Sequence, residues 1–484
     1  MSEPKRMHPG AMILSFFKVI REIIIPAGVG FFASFNNVDF FGVWFQVLYI
    51  AVIAIGTILF SFLTWYRFTY KIDDDQIKIE SGIIIRKERF ISKNRIQSID
   101  LTEGIVHRIF GLVKVEVQTA GSSTSAEAGL KAVKRAEGEA IREQLKNKSK
   151  IDEVENELEE PSEINDEHVE QGPVRKLSFI YLFIAATTSG GIGVFLSLFA
   201  LFGSQITQFI PEEFVEGVYD WAIHLSIIII VVLAILIAIV LWLMAIAGTF
   251  LKYSFFTIKR NNDELFIARG LLERKQLTIP LKRIQAVRIE ENPLRQPFGF
   301  ATIAVEIAGG SSEQGEGFST VLFPLIKKTE IEAFLSDFLP SFELTKKWKP
   351  LPTRSMRRYL IRAVAPVLIV LTPVSYFFFS YAWIALIFIL AAGLLGWHRY
   401  RDAGYTVTNN QLAIRTRTIS RVSVFANRKR VQAFATSAHW FQARKQLCTL
   451  AFSVASHSSG KKFKIKDIDQ TDADTIANWY SFEK

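Results

Sequence analysis

The chain contains Gly270-Leu271-Leu272-Glu273-Arg274-Lys275 and then Arg283-Ile284-Gln285-Ala286-Val287, and both stretches repeat an earlier part of the same sequence. The earlier copy reads Gly82-Ile83-Ile84-Ile85-Arg86-Lys87 and then Arg95-Ile96-Gln97-Ser98-Ile99. The copies lie 188 residues apart at each of these positions, and the same offset relates Phe110-Gly111 to Phe298-Gly299. A register kept over so long a stretch predicts two copies of one folded module.

A third and more divergent copy lies near the end of the sequence. Its Arg430-Val431-Gln432-Ala433-Phe434 matches the Arg-Ile-Gln stretch of the other two. Arg417 stands where the glycine of the motif would be, and Lys445-Gln446 replaces Phe-Gly. We therefore expect three modules, of which the third is the least similar.

The second copy predicts a strand-rich fold, because short β-branched and aromatic runs alternate with turn residues. The predicted strands cover residues 253–258, 265–269, 274–279, 284–289, 302–307 and 318–323. Apolar residues at helical spacing predict one helix over 327–339, and corresponding helices are predicted over 128–145 and 472–480. We expect each module to be a small barrel or pair of sheets, with this C-terminal helix covering the open end and the edge strands.

Long apolar segments precede the modules. Half of the residues are hydrophobic and only 21% are charged, whereas an ordinary soluble domain is roughly a quarter charged. Residues 227–247 include no polar side chain, and a helix of that length crosses a hydrocarbon core of about 30 Å. Comparable spans are predicted at 41–65, 177–203, 360–380 and 381–397.

Residues 11–35 are a sixth apolar segment, which Lys18, Arg21 and Glu22 interrupt. Either these charges lie at the cytoplasmic interface with residues 23–35 in lipid, or the segment begins as an interfacial amphipathic helix. Both placements at the interface are favoured over a buried functional charge cluster. A secretory signal peptide does not fit, because the apolar part carries charges and lacks a small-residue cleavage site.

The charge distribution predicts the orientation of the spans. They pair into three hairpins, and the connections at 34–39 and 204–220 contain no Lys or Arg. Basic residues are concentrated at the opposite ends of the spans, which the positive-inside rule places in the cytoplasm. We therefore expect both termini and all three modules to be cytoplasmic.

Hydrophobic hairpins, each followed by a module with a Gly-hydrophobic start and an Arg-Ile/Val-Gln core, resemble the bacterial pleckstrin-homology-like (PH-like) membrane proteins of the second type. The three-module arrangement is similar to the YdbT-like branch of that family over nearly the whole chain. The resemblance implies a PH-like fold, a bent sheet barrel capped by a helix, in a bacterial plasma or inner membrane, but no reaction. The expected fold class is an α+β membrane protein with about six transmembrane helices in three hairpins, each followed by a cytoplasmic PH-like module.

The predicted domain boundaries follow from this organisation. They are 1–66 for the N-terminal segment and first hairpin, 67–150 for the first module, 151–173 for an acidic linker, 174–251 for the second hairpin, 252–345 for the second module, 346–399 for the third hairpin and 400–484 for the third module. Residues 151–170 hold ten acidic residues and no basic one, which favours a solvated linker over a partner-binding arm. From residue 400 onward, fourteen Lys or Arg face six Asp or Glu, so the third module carries most of the +10 net charge.

The usual signatures of catalysis are not found in the sequence. Residues 458–462 lack the first glycine and the Ser/Thr of a P-loop, and the seven histidines do not have metal-ligand spacing. Gly309-Gly310-Ser311-Ser312 is read as a flexible turn, and Cys448 as a small core residue rather than a nucleophile. We therefore predict no enzymatic activity, no catalytic or metal-binding residue and no cofactor.

Basic residues are the candidate contacts for lipid or a partner. The Arg-Ile/Val-Gln stretch has two readings, a head-group or partner contact and an ordinary strand start, and we favour the second. The basic pairs beside it are better candidates for contact with an anionic leaflet, and nucleic acid is not expected because aromatic stacking residues are not interleaved. The candidate residues are Arg86, Lys87, Arg95, Gln97, Arg274, Lys275, Arg283, Gln285, Arg428, Lys429, Arg430, Gln432, Arg444 and Lys445.

The sequence predicts a non-enzymatic scaffold in cell-envelope maintenance or protection. Its expected partners are anionic membrane lipids and a membrane protein such as a smaller PH-like paralogue. The alternative is a transporter or lipid-moving protein that uses the six-helix bundle. That reading rests on the small residues at 188–193, which more often permit close helix packing.

Overall fold

A computed structural model describes residues 4–17, 19–20, 22, 40–73, 76–119, 128–154, 172–188, 227–308, 320–377, 382–408, 410–456 and 460–481. They divide into two compact units. The first unit is Met1–Gln171 with Phe266–Ala268 and Leu272–Pro280, and the second is Gly172–Leu265 with Arg269–Leu271 and Leu281–Lys484.

The strands are β1 Lys5–Arg6, β2 Thr69–Ile72, β3 Gln76–Ser81, β4 Lys87–Ser92, β5 Ile96–Glu103, β6 Leu112–Thr119, β7 Ala128–Lys134, β8 Val174–Lys176, β9 Thr257–Asn261, β10 Glu264–Arg269, β11 Arg274–Pro280, β12 Ile284–Glu291, β13 Phe300–Ile307, β14 Thr320–Lys327, β15 Lys349–Pro350, β16 Gly404–Val407, β17 Gln411–Arg417, β18 Arg421–Asn427, β19 Val431–Ser437, β20 Leu447–Val454 and β21 Lys461–Asp469. The helices are α1 Phe40–Tyr66, α2 Ile105–Ile109, α3 Arg135–Val154, α4 Phe179–Thr187, α5 Ile227–Tyr253, α6 Ile331–Phe338, α7 Met356–Phe377, α8 Ala382–Asp402, α9 Trp440–Ala443 and α10 Gln470–Tyr480.

Each segment predicted to form a hairpin lies between the first two strands of its module. The short strand before a hairpin pairs with the first strand after it, as β1 does with β2, β8 with β9 and β15 with β16. The predicted boundaries assign 174–251 to the second hairpin. Residues 174–176 instead form the first strand of the second module. The modules therefore begin earlier in the sequence than their hairpins.

The first unit contains a sheet with the strand order β1-β2-β3-β4, and a second group in which β7, β6, β5 and β11 are neighbours. Alternating residues of these strands, such as Ile77 and Ile79, point into the core because successive side chains of a strand face opposite ways. Val115 and Leu130 lie in the same core, and Ile141 of α3 packs on it.

The second unit contains a seven-stranded sheet with the order β14-β13-β12-β18-β17-β16-β15 and a three-stranded sheet, β19-β20-β21. A series of ring contacts fills the core of the second module, from Phe256 through Phe323 to Phe334 and Phe338, with centroids 4.7 to 5.6 Å apart. The last two rings belong to α6, which closes this core as the helical spacing predicts.

Two joints connect successive modules by strand pairing. In one, β5 of the first module pairs antiparallel with β11, and in the other β12 of the second module pairs with β18 of the third. Glu103 lies opposite Arg274, and Glu291 lies opposite Arg421. These pairs occupy equivalent positions, so the two joints have the same register. The prediction that the C-terminal helix hides the edge strands is wrong at these edges, because a strand of the neighbouring module covers them.

Two secondary-structure predictions also need correction. Residues 128–134 are not helical: Ala, Leu and Lys there have good helix propensity, but pairing of β7 with β6 buries Leu130 and Ala132 in the core. The predicted strand at 253–258 starts too early, because α5 continues to Tyr253 and β9 begins at Thr257. The predicted helix at 472–480 is confirmed within α10.

The described parts of the second and third hairpins are antiparallel helix pairs. The Phe179 and Phe250 rings lie 5.4 Å apart, and Trp242 Nε1 donates to the carbonyl of Thr187 at 3.3 Å. Among the described residues, two helices are long and apolar enough to cross a membrane, Ile235–Tyr253 and Thr353–Tyr376. Of the six predicted spans, much of 11–35 and 177–203 lies outside the described residues, and the six-helix arrangement stays a prediction.

The described start of the predicted first span packs on the first module. Residues 10–17 are helical, and Ala11 is buried in the same core as Leu112, with Leu14 packed against it. The packed side is that of Ala11 and Leu14, whereas Phe17 is 56% exposed. Residues 23–35, which one reading places in lipid, lie outside the described residues.

Candidate functional site

Each module has one loop at an equivalent place, between β5 and β6 in the first, β12 and β13 in the second and β19 and β20 in the third. We call residues 104–111, 292–299 and 439–446 the contact loops, because the second and third of them contact the first helix of their hairpin. Their last residues, Gly111, Gly299 and Gln446, all have positive φ, at 63°, 69° and 50°. The shared conformation confirms that Lys445-Gln446 replaces Phe-Gly at the same structural position in the third module.

Arg295 anchors the second contact loop to the start of the second hairpin. Its Nε donates to Thr188 Oγ1 and its Nη2 to the carbonyl of Ala185, both at 2.9 Å. Its Nη1 donates to Thr302 Oγ1 at 2.7 Å and to the carbonyl of Pro324 at 3.2 Å. Burial lowers the pKa of this guanidinium, and the four hydrogen bonds satisfy its donors in the buried site.

This anchor involves the first of the small residues on which the transport hypothesis rests. Thr188 accepts from Arg295 through its hydroxyl and from the side-chain amide of Asn292 through its carbonyl, the latter at 3.3 Å. Thr188 therefore contacts the second module. Residues 189–193 lie outside the described residues.

In the third contact loop, Gln442 occupies the position of Arg295 and binds a buried carboxylate. Its Nε2 donates to Asp467 Oδ1 at 2.8 Å, and Asp467 is fully buried. Arg358, near the start of α7, donates to the same oxygen at 3.2 Å, and Arg362 is ion-paired with the same carboxylate. Ser355 Oγ donates to the carbonyl of Asp467 at 2.7 Å. The first turns of the third hairpin are thus attached to β21.

In the first contact loop, His107 occupies this position. Its Nε2 lies 2.9 Å from the carbonyl of Lys131, whose N–H donates to Met7 Sδ at 3.3 Å. Trp65, near the end of α1, donates to the carbonyl of Met7 at 3.0 Å. The same position therefore reaches the last strand of the module in all three copies.

A β-bulge explains why the last strand offers its polar groups there. The register shifts after Val113, Ala301 and Cys448, at equivalent places in the three modules, and a bulge frees backbone groups from the ladder. Sequence reasoning missed His107, Arg295 and Gln442, since three residue types fill one position. The signal that could have found them is the repeat register itself.

Large apolar side chains are exposed around these anchors. Seven of them, divided among the three loops, are between 46% and 73% exposed. They are Ile105, Ile109, Phe110, Leu294, Phe298, Trp440 and Phe441. The Arg444 guanidinium lies 3.9 Å from the centre of the Trp440 ring, and Lys445 beside it is exposed. The third contact loop therefore combines aromatic rings with two cations.

The repeated arginines occupy a structural position. Arg95, Arg283 and Arg430 each end a short 3₁₀ turn that leads into the second half of the module. The Arg283 Nε and Nη2 donate to the carbonyl of Ala308 at 2.9 and 2.7 Å, and the buried Gln285 donates to the carbonyl of Arg283 at 3.0 Å. For the second module, these contacts favour the structural reading. Gln432 is exposed, and the side chain of Gln97 lies outside the described residues.

The other candidate cations do not form one cluster. Arg86 pairs with Glu80 at 2.5 Å, Lys275 lies 3.7 Å from Glu273, and Arg274 is opposite Glu103. Arg428 donates to the carbonyl of Ser481 at 3.0 Å. Lys87 and Lys429 are exposed. Of the predicted candidate residues, only Arg444 and Lys445 lie in a contact loop.

The described residues offer little reactive chemistry. They include no group of three or more His, Cys, Asp or Glu side chains placed to hold a metal ion. Cys448 is buried in β20, and burial raises the pKa of its thiol to about 11, so it is protonated and unreactive at neutral pH.

Comparison with known proteins agrees with this architecture. The model of a family described as "Bacterial PH domain" matches the chain three times, at residues 24–149, 217–339 and 359–484. The UPF0699 transmembrane protein YdbT of Bacillus subtilis (strain 168) is 37% identical over 495 residues, which cover the whole of this chain and 99% of that relative. No solved structure matches. With three matches and a full-length relative, the chain belongs to the bacterial PH domain family, as a transmembrane protein built from three PH-like modules.

Proposed function

We propose that this protein is a non-enzymatic membrane scaffold whose PH-like modules lie against the cytoplasmic leaflet and bind anionic lipid head groups through their contact loops. It is a multi-pass protein of the bacterial plasma or inner membrane, with cytoplasmic termini, and serves envelope maintenance or protection. A membrane protein, such as a smaller PH-like paralogue, docks on the scaffold.

The observation that carries the proposal is the set of exposed apolar side chains on loops anchored beside membrane hairpins. Arg295 fixes one loop to α4, and Trp242 of α5 bonds to the same end of α4. Trp242 lies inside the candidate span Ile235–Tyr253. Leu294 and Phe298 are therefore held beside a helix that reaches lipid. Burial of their exposed apolar surface in the membrane is favourable.

The third contact loop supplies the charge for head-group binding. Trp rings favour the membrane interface, and each Lys or Arg near an anionic surface contributes about 1 kcal/mol. Arg358 also donates to the carbonyl of Phe441. This contact ties the loop directly to the start of a candidate span.

Site-directed fluorescence tests the placement. Phe298→Cys and Phe441→Cys, each labelled with an environment-sensitive dye in reconstituted full-length protein, should be quenched by nitroxide-labelled lipids. Asp263→Cys is the matched control, because it lies at the far end of β9 from the membrane helix α5 and is exposed. The native Cys448 does not compete for the label, since it is buried and protonated. Equal quenching at positions 263, 298 and 441 would refute the proposed orientation.

Two further measurements test binding and topology. Arg444→Gln with Lys445→Gln should reduce the phosphatidylglycerol that copurifies with the protein, whereas Lys346→Gln, a surface control, should not. Asp263→Cys should react with a membrane-impermeant maleimide in inverted vesicles and not in intact cells. Unchanged lipid content in the double variant argues against head-group binding, and labelling in intact cells argues against a cytoplasmic second module.

A further inference from the structure

The two joints use the same two kinds of strand, and in the described sheets one strand of each kind has a neighbour on one side only. In the described sheets, β4 ends the order β1-β2-β3-β4 and β19 ends the order β19-β20-β21. β4 is the first-module counterpart of β11 and β18. β19 is the third-module counterpart of β5 and β12. Because three modules form two joints, β4 of the first module and β19 of the third are left over for a further pairing of the same kind.

We propose that β4 of one copy of this chain pairs with β19 of a second copy, in the antiparallel register of the two joints. The occupant is inferred from continuity with these joints, since each of them brings together the same two strand types that remain uncovered. Such pairing joins two different surfaces, so it is heterologous and produces a ring or an open row of chains.

The register places two aromatic residues opposite each other. In the joint between the second and third modules, Val287 faces Phe425, and both are buried, at 0% and 1% exposed. The equivalent residues at the uncovered edges are Phe434 and Phe90. Phe90 is 57% exposed. Phe434 stacks on Tyr480 with ring centroids 5.6 Å apart. Directly opposed aromatic residues stabilise an antiparallel pair.

The remaining side chains are compatible with this partner. β19 reads Val-Gln-Ala-Phe-Ala-Thr-Ser, without a charge or a proline, so it lacks the usual protection of an exposed edge. Ala438 takes the position of Glu103 and Glu291, opposite Arg86. Arg86 does not need an acid from the partner, because it is paired with Glu80 and Glu88 of its own chain.

Cysteine crosslinking of full-length protein in native membranes tests the register. Chains with Phe90→Cys under one tag and Phe434→Cys under another are coexpressed and oxidised with copper phenanthroline. Opposed residues in this register have Cβ atoms about 4.5–5.5 Å apart, which permits a disulfide after small adjustment. Lys87→Cys is the control for Phe90→Cys, because it lies three positions out of register. Glu290→Cys with Val422→Cys, which face each other within one chain, is the positive control.

A crosslink between the differently tagged chains at 90 and 434, but not at 87 and 434, is the expected result. In mass photometry, Phe434→Lys should weaken association about tenfold, and adding Phe90→Glu to the partner should restore it. The proposal is overturned if the positive control crosslinks but the 90–434 pair does not. A 90–434 link found only within single chains also overturns it, as does a wild-type protein that remains monomeric at micromolar concentration.

Discussion

Arg421 and Glu291 face each other across the strands that join the second and third modules, and the guanidinium contacts both carboxylate oxygens, at 2.7 and 2.6 Å. Their side chains are only 18% and 9% exposed. Asp402 lies 3.3 Å from the same guanidinium. Bidentate geometry of this kind is stronger than an ordinary surface ion pair.

Glu291→Ala should destabilise the second unit, because it leaves Arg421 with only part of its charge compensation in a buried site. Breaking a buried pair costs about 3–5 kcal/mol, which should lower the unfolding temperature of the detergent-solubilised protein by several degrees. The control is Glu332→Ala. Its partner is Lys346, both side chains are more than half exposed, and no measurable change is expected. Equal unfolding temperatures for the two variants would contradict a structural role for the joint.

Arg295→Ala should separate the second contact loop from α4. The substitution removes donors to the carbonyls of Ala185 and Pro324 and to two threonine hydroxyls. Unsatisfied buried acceptors cost about 1–3 kcal/mol each. Arg295→Gln, which installs the residue of the third module, should lose less, because an amide still donates. Thermal unfolding followed by tryptophan fluorescence checks this order, and an equal loss in both variants would argue against hydrogen bonding as the cause.

Glu306 should make stability depend on pH. Its side chain is fully buried, and burial raises the pKa of its carboxyl above the usual 4.5, although Arg288 at 3.1 Å opposes this shift. Because the pKa is raised in the folded protein, the protonated carboxyl stabilises the fold below pH 4.5, and this stabilisation is lost as the pH rises through the elevated pKa. Glu306→Gln stays neutral, so its unfolding temperature relative to wild type should rise over this window and then level off. Parallel pH profiles for the two proteins would contradict the predicted shift.

Gly82→Ala should destabilise the first module. Gly82 has φ of 112°, and an added Cβ would lie 2.0 Å from the carbonyl oxygen of Ile85. Strain at a backbone position of this kind costs about 1–3 kcal/mol. Gly129→Ala is the matched control in the same module, since nothing lies within 4 Å of its added Cβ. Hydrogen exchange of the first unit should be faster in the Gly82 variant alone.

The repeat register predicted much of the fold, including the strands from β10 to β13 and the position of the third copy. The glycine motif is explained by Gly82 and Gly270, whose φ values are 112° and 109°. Its loss in the third module is explained less directly: Arg417 ends β17 and pairs with Asp402. Local pattern therefore located the strands from β10 to β13.

The joints were not predicted, because alternation of side chains shows which face of a strand is buried but not which strand lies at its edge. A weak signal was present, since Glu103 and Glu291 are opposed by Arg274 and Arg421 one module later. The contacts of His107, Arg295 and Gln442 with the last strand were not predicted for another reason. Their shared role depends on bulges in the last strand of each module, and no residue type marks these bulges.

The position of each predicted hairpin segment between the first two strands of its module has a consequence for biosynthesis. β8 leaves the ribosome about 80 residues before β9, its partner, and the whole second hairpin lies between them. The first strand pair of the module can therefore close only after the residues between β8 and β9, which include α4 and α5, have been synthesised. Closure of the second module therefore waits for its apolar helices, and a chain that stops within them would leave β8 without its partner strand.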